Sequence, residues 1–262
     1  MDLGIKGKAA LVCASGGGLG LATARRLAME GCIVALCDKD ESRLPGALEA
    51  VRQAGAGRAE AYPVDLTQLE AVEKLVRSVR ADLGRIDILV NNSGGPPPGT
   101  FDDATDEKWL HAYHLTFLSA VRLSRLVLPD MKAAGWGRII NFTSRALREP
   151  IPNLMLSNAV RLAVGGMAKT LAAEVASCGI TVNNICPGPT STDRAMELAA
   201  ARAGKKKISV QQELELTAQK IPRGRLATPE EQAAAAAFLA SDLAGHITGI
   251  SLLVDGGETR AL

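Results

Sequence analysis

Cys13-Ala14-Ser15-Gly16-Gly17-Gly18-Leu19-Gly20 is the most informative stretch of the chain. It follows an apolar run, Ala9–Cys13, that reads as a strand, and it opens a helical pattern, Leu19–Glu30. Glycines between a strand and a helix let backbone approach a pyrophosphate, and the helix N-terminus favours negative charge. A flexible turn would also accept glycines, so the residues downstream must decide between the two.

Beyond this turn, short apolar runs alternate with longer helical patterns. Strands are expected at Cys32–Cys37, Ala59–Val64, Ile86–Asn91, Arg138–Thr143, Ile180–Cys186 and Ile250–Val254. Helices are expected at Glu41–Ala54, Gln68–Leu83, Glu107–Ala134 with a bend at Pro129, Asn153–Cys178 and Pro229–Ala240. Strands apolar on both faces, separated by helices, predict an α/β fold: one doubly wound domain over residues 1–262, with a parallel sheet of about seven strands and helices on both faces. The rhythm lapses at about 190–225, an Ala-rich stretch with Lys205-Lys206-Lys207, read as a lid-like excursion. A solvated helical insertion is the plainer alternative.

Composition narrows the function. The 262 residues are 47% hydrophobic and 22% charged, with a formal net charge of +2, which argues against disorder and against nucleic-acid binding. No apolar run is long enough for a membrane span, and the N-terminus lacks a secretory pattern, so a cytoplasmic location is expected. The five cysteines, Cys13, Cys32, Cys37, Cys178 and Cys186, form no C-x-x-C and sit mostly in apolar runs, as small hydrophobes in a reducing compartment do. No metal-ligand pattern emerges around His111 and His114. Aromatics are only 3%, and any tyrosine chemistry must use Tyr62 or Tyr113.

In open parallel sheets ligands bind beyond the carboxyl ends of the strands. The second strand ends near Asp38, whose carboxylate suits the two ribose hydroxyls of an adenosine and repels a 2′-phosphate. That favours NAD(H) over NADP(H), although Lys39 stands beside it, and Asp38 could equally cap a helix. Asp65 after the third strand is either an adenine acceptor or a helix cap. Asn91-Asn92-Ser93-Gly94 after the fourth can brace a loop beside a cofactor, walled by Gly95-Pro-Pro-Pro-Gly99.

Together with Ser144, Pro187-Gly188-Pro189-Thr190 and Val254-Asp255-Gly256-Gly257, these residues resemble the short-chain dehydrogenase/reductase family over essentially the whole chain, most like its 3-oxoacyl-carrier-protein-reductase-type members. The resemblance implies a Rossmann domain, an NAD(P)(H)-dependent interconversion of a carbonyl and an alcohol, a small-molecule substrate, and a homodimer or homotetramer joined through the two long helices. It places Gly18 and Gly20 at the pyrophosphate with Ala14, Ser15 and Leu19 nearby, Ala14 standing where the family keeps its first glycine. Asp38 takes the adenosine ribose, Asp65 and Leu66 the adenine, Asn91 and Gly94 the length of the cofactor, and Pro187, Gly188 and Thr190 the nicotinamide.

The family's Asn, Ser, Tyr and Lys map onto Thr116, Ser144, Ser157 and Arg161. Only Ser144 is preserved. A serine hydroxyl stops roughly 4 Å short of a phenol's reach and is a weaker acid than a phenol of pKa about 10. Arg161 can hold the nicotinamide ribose but stays protonated. Tyr113, three residues before Thr116, is the one tyrosine that could reach the catalytic edge, though a packing role would explain it as well. Two functions stay open: an oxidoreductase with Ser157 and Arg161 in place of Tyr and Lys, or a non-catalytic dinucleotide-binding protein acting as a sensor or as a partner subunit of an active relative.

Overall fold

The computed structural model describes residues 1–261. Seven strands form one parallel sheet: β1 (Ala9–Cys13), β2 (Ile33–Asp38), β3 (Ala59–Pro63), β4 (Ile88–Asn91), β5 (Gly137–Phe142), β6 (Ile180–Pro187) and β7 (Ser251–Val254). Their spatial order is β3-β2-β1-β4-β5-β6-β7. The order reverses between β1 and β4, so the turn after β1 and the loop after β4 flank one crevice, where such sheets bind ligands.

Alternation along the strands explains the two covered faces. Ala10 and Val12 of β1 point to one side and Leu11 and Cys13 to the other. The first face packs against α1 (Gly18–Met29), α2 (Leu44–Gln53) and α9 (Pro229–Ala240) through Leu27, Val51 and Ala236. The second packs against α3 (Leu69–Leu83), α5 (Ser119–Ala134) and α6 (Met155–Val175) through Val76, Val127 and Ala172. Alanines on α1 and α9 let these helices lie close to the sheet without aromatic filler, consistent with the sparse aromatics. All five cysteines are free thiols, and four of them are buried. No helix among the described residues is long and apolar enough to cross a membrane.

The expected long helix over Glu107–Ala134 is three pieces. α4 (Asp106–Ala112) passes through a π-helical turn (Tyr113–Leu118) into α5, which continues past Pro129 to Ala134. The break lies at the π turn, upstream of the proline. Wide i→i+5 turns leave no mark in hydrophobic spacing, and they favour functional positions. Between β6 and α9, the 190–225 excursion contains α7 (Asp193–Lys206) and α8 (Val210–Ala218). The side chain of Thr192 caps α7, and a capping box of Ser209 and Gln212 opens α8.

A polar ladder crosses the middle of the sheet. Asn91, Asn141, Asn184 and Ser251 are in register on β4 to β7. Asn91 Nδ2 donates to Asn141 Oδ1 at 2.9 Å, Asn141 Nδ2 to Asn184 Oδ1 at 3.0 Å, and Asn184 Nδ2 to Ser251 Oγ at 3.2 Å. Each buried amide thereby hands its donor to the next strand, locking the register near the crevice.

Candidate active site

The glycine turn is shaped by contacts that exclude side chains. A Cβ on Gly20 would lie 2.1 Å from the carbonyl oxygen of Ala14, so only glycine lets α1 start this close to β1. Gly18 has φ +51° and Ala14 has φ +46°, a left-handed conformation that costs an alanine about 1–2 kcal/mol. The Ala14 carbonyl also accepts from Asn92 Nδ2 at 3.2 Å, which ties the turn to the loop after β4. No side chain caps α1 and no acid lies in its first turn, so its N–H groups are left for an anion. These features fit a dinucleotide pyrophosphate.

Several predicted cofactor contacts prove to be braces. Ser15 is fully buried, its hydroxyl donating to Val12 O at 2.9 Å and accepting from Cys37 N at 3.0 Å, while its own N–H is bound to Cys37 O. It joins β1 to β2 and has no free donor for a ligand. The side chain of Asn91 belongs to the sheet ladder, pointing inward instead of along a cofactor. Thr190 is buried, its hydroxyl donating to Gly188 O at 3.0 Å. Gly188 is fixed by Asp255, whose Cα would lie 2.7 Å from a Cβ there. Shared chemistry hid these roles: small hydroxyl and amide side chains serve equally well as ligand contacts and as strand ties.

The acids at the strand ends are also engaged. Asp38 accepts from Gly16 N at 2.9 Å and from Asp40 N at 3.0 Å. Asp65 accepts from the Thr67 backbone and hydroxyl and lies 3.1 Å from Lys39 Nζ. Burial pushes its carboxyl up, but those hydrogen bonds and Lys39 outweigh that and hold it below the ordinary range. Leu66 beside it is buried.

At the end of β5, Ser144 caps a short 3₁₀ turn, its Oγ accepting from Ala146 N at 3.1 Å. α6 brings Ser157 and Arg161 to the same edge. Arg161 Nε donates to Ser157 Oγ at 3.1 Å, and Nη1 donates to the carbonyls of Phe142 at 2.9 Å and Thr143 at 2.8 Å. The guanidinium thus clamps α6 onto the strand end next to Ser144. No carboxylate among the described residues pairs with it. Burial first, then the charge of Arg194, lowers its pKa to about 10, so it stays protonated near neutrality.

Thr116 sits on the π turn, buried, with no partner for its hydroxyl. It lines a small cavity with Asn91, whose Oδ1 is likewise unpartnered, and with Asn92, Ser93 and Ser119. Tyr113 does not share that setting. The residue is 41% exposed, and its ring lies 5.3 Å from that of Phe117. The i→i+5 turn destroys the face that residues three apart share on an α-helix, so the expected approach of Tyr113 to Thr116 fails. Tyr62 is also remote, donating to Asp82 Oδ2 at 2.8 Å, and burial together with that bond pushes its phenol well above the ordinary value.

Over the crevice lies the start of the excursion. Thr192 Cγ2 is 3.6 Å from where a Gly18 Cβ would stand. Arg194 Nη2 donates to Pro96 O at 2.7 Å, and Arg43 Nη1 to Asp193 Oδ2 at 2.9 Å. The segment 190–194 therefore runs as a strap between the loop after β4 and the turn after β2, a contact sequence reasoning missed because Arg43 lies in no motif.

Known proteins share the fold. The family model described as enoyl-(acyl carrier protein) reductase matches residues 13–259. The D-beta-hydroxybutyrate dehydrogenase of Cupriavidus necator is 34% identical over 97% of this chain and 98% of its own, and a 3-oxoacyl-[acyl-carrier-protein] reductase of Haemophilus influenzae is 35% identical over 97% and 98%. The L-sorbose reductase of Gluconobacter frateurii, solved with NADPH and L-sorbose, superposes with a TM-score of 0.95 at 35% identity over 100% of both chains. Matched over nearly its whole length in sequence and in fold, the chain belongs to the short-chain dehydrogenase/reductase family of NAD(P)-dependent oxidoreductases.

Proposed function

We propose that this protein interconverts a small-molecule carbonyl and alcohol, with Ser157 and Arg161 serving where relatives use tyrosine and lysine. The observation that carries the reading is the 3.1 Å bond from Arg161 Nε to Ser157 Oγ. Because Ser157 accepts that bond, its own O–H is free to donate to a substrate oxygen. The fixed positive charge beside it favours the oxygen that has given up a proton. With a dinucleotide held at the glycine turn, hydride chemistry would come from its nicotinamide. Ser144 orients the substrate oxygen from the strand end. Arg161 cannot relay a proton at neutral pH, so the Ser157 hydroxyl is reprotonated from water. Separately, the small cavity beside Thr116 and Asn91, with one unpartnered oxygen on each, suits an ordered water of its own.

Gly18, Leu19 and Gly20 hold the pyrophosphate, Ala14 shapes the turn, Asp38 faces the adenosine ribose, and Asp65 with Leu66 borders the adenine. Gly94 and the Pro187–Gly188 backbone flank the rest of the dinucleotide. Asp38 favours the diol of NAD(H) over NADP(H), since a 2′-phosphate would meet its carboxylate. The excursion at 190–225 acts as a lid whose strap crosses the crevice. Exposed Leu110, at 60%, and Leu162, at 52%, lie on α4 and α6 and suit a homo-oligomer joined through these helices. The free thiols suit the cytoplasm.

The test is oxidation of NADH and NADPH against a panel of ketones and oxoacids at high enzyme concentration. Turnover of at least one carbonyl supports the reading. Tight dinucleotide binding with no turnover would leave a non-catalytic binding protein instead.

A further inference from the structure

Arg43 closes the 3₁₀ turn Glu41–Arg43 that follows β2. Its side chain lies across the glycine turn. A Cβ on Gly16 would stand 2.9 Å from Arg43 Cβ and 3.0 Å from Asp38 Oδ2, and one on Gly17 would stand 3.1 Å from Arg43 Nη1. The guanidinium thus occupies the same ledge as the Asp38 carboxylate. It is held there by two acids: Nε lies 3.2 Å from Asp40 Oδ2, and Nη1 lies 2.9 Å from Asp193 Oδ2. Asp40 is its own neighbour on the turn. Asp193 comes from the strap, at the first residue of α7. The other nearby cation, Lys39, is paired with Asp65 at 3.1 Å.

We propose that Asp193 is a positioning residue for cofactor choice: it engages Arg43 in an ion pair with the strap and so withholds that guanidinium from a phosphate on the adenosine 2′-oxygen. The proposal rests on the reading of Asp38 as the ribose-facing acid. Asp38 cannot swing aside, because its two oxygens hold Gly16 N and Asp40 N. A 2′-phosphate therefore meets the Asp38 carboxylate, while the guanidinium on the ledge is already engaged by Asp40 and Asp193. Neutralising Asp193 acts through Arg43: it frees the Nη1 edge of the guanidinium for that phosphate, while Nε stays with Asp40. The diol of NAD(H) needs no such change.

The experiment is titration of the full-length protein with NADH and NADPH, read by nicotinamide fluorescence without any carbonyl substrate. The variants are Asp193→Asn, Asp193→Glu, and Asp193→Asn combined with Arg43→Gln. Asp193→Asn should tighten NADPH about fivefold, the scale of an exposed ion pair, while NADH stays within about twofold. Asp193→Glu should keep the wild-type ratio, and the double variant should lose the gain. A purely structural role for Asp193 at the start of α7 would move both cofactors alike. An unchanged NADPH-to-NADH ratio in Asp193→Asn, or a gain that survives Arg43→Gln, overturns the proposal while leaving the dinucleotide site intact. Failure of the wild type to bind either nucleotide would overturn the site itself.

Discussion

Replacing Gly20 by alanine separates the local preference of a helix from the demand of the turn it opens. Glycine to alanine inside a helix ordinarily stabilises by about 0.5–1 kcal/mol, because alanine loses less backbone freedom on folding. Here the added Cβ would lie 2.1 Å from Ala14 O and 2.8 Å from both Ala14 C and Ser15 Cα. All three are backbone atoms, so no side chain can rotate away. Ordinary contact begins near 3.4 Å, and the first turn of α1 must retreat by about 1.3 Å. Overpacking of this kind costs about 1–3 kcal/mol, which exceeds the propensity gain. A net loss near 1 kcal/mol corresponds to a fall in Tm of about 2–4 °C in a chain of this size. Urea melts should show a lower midpoint at unchanged slope, and NADH titration should show weakened binding as the N–H groups of α1 leave their register. A midpoint equal to or above wild type would refute the geometry of the turn.

The converse change, Ala14→Gly, relieves an alanine held at φ +46° and should raise stability by about 0.5 kcal/mol in the same melts, the relief exceeding the extra freedom glycine brings to the unfolded chain. Burial pushes the Asp255 carboxyl up, but the bonds it accepts from Thr259 and Gly257, with Arg145 nearby, bring it below the ordinary value. Its depressed folded-state pKa contributes stability that is complete above about pH 4 and lost as the pH falls through the folded value, so Asp255→Asn should flatten the acid limb of a stability profile measured between about pH 3 and 7. Light scattering should return a multiple of the single-chain mass, and a monomer would contradict the role given to Leu110 and Leu162.

The alternation of apolar runs and helices made the sheet legible, and the expected strands agree with the structure to within a few residues. Glycine chemistry made the turn legible as well: Gly18 and Gly20 stand where a positive φ and a close backbone approach require them. What escaped the sequence was direction. Ser15 and Asn91 look like ligand contacts in one dimension, yet their side chains face the sheet, because a residue at the end of a parallel strand can turn either way. Tyr113 failed for a different reason, since the π turn that runs from it through Thr116 rotates the two off a shared helix face. The Arg43–Asp193 pair spans 150 positions and follows no periodicity, so only the folded chain brings it together.

Proton transfer by the Ser157–Arg161 pair is open to a single decisive assay: single-turnover hydride transfer from bound NADH in wild type, Ser157→Ala and Ser157→Thr. If Ser157 is the proton donor, Ser157→Ala loses at least about 100-fold in rate, Ser157→Thr recovers a substantial part of it, and NADH affinity is unchanged in both. Equal rates for wild type and Ser157→Ala would contradict that role.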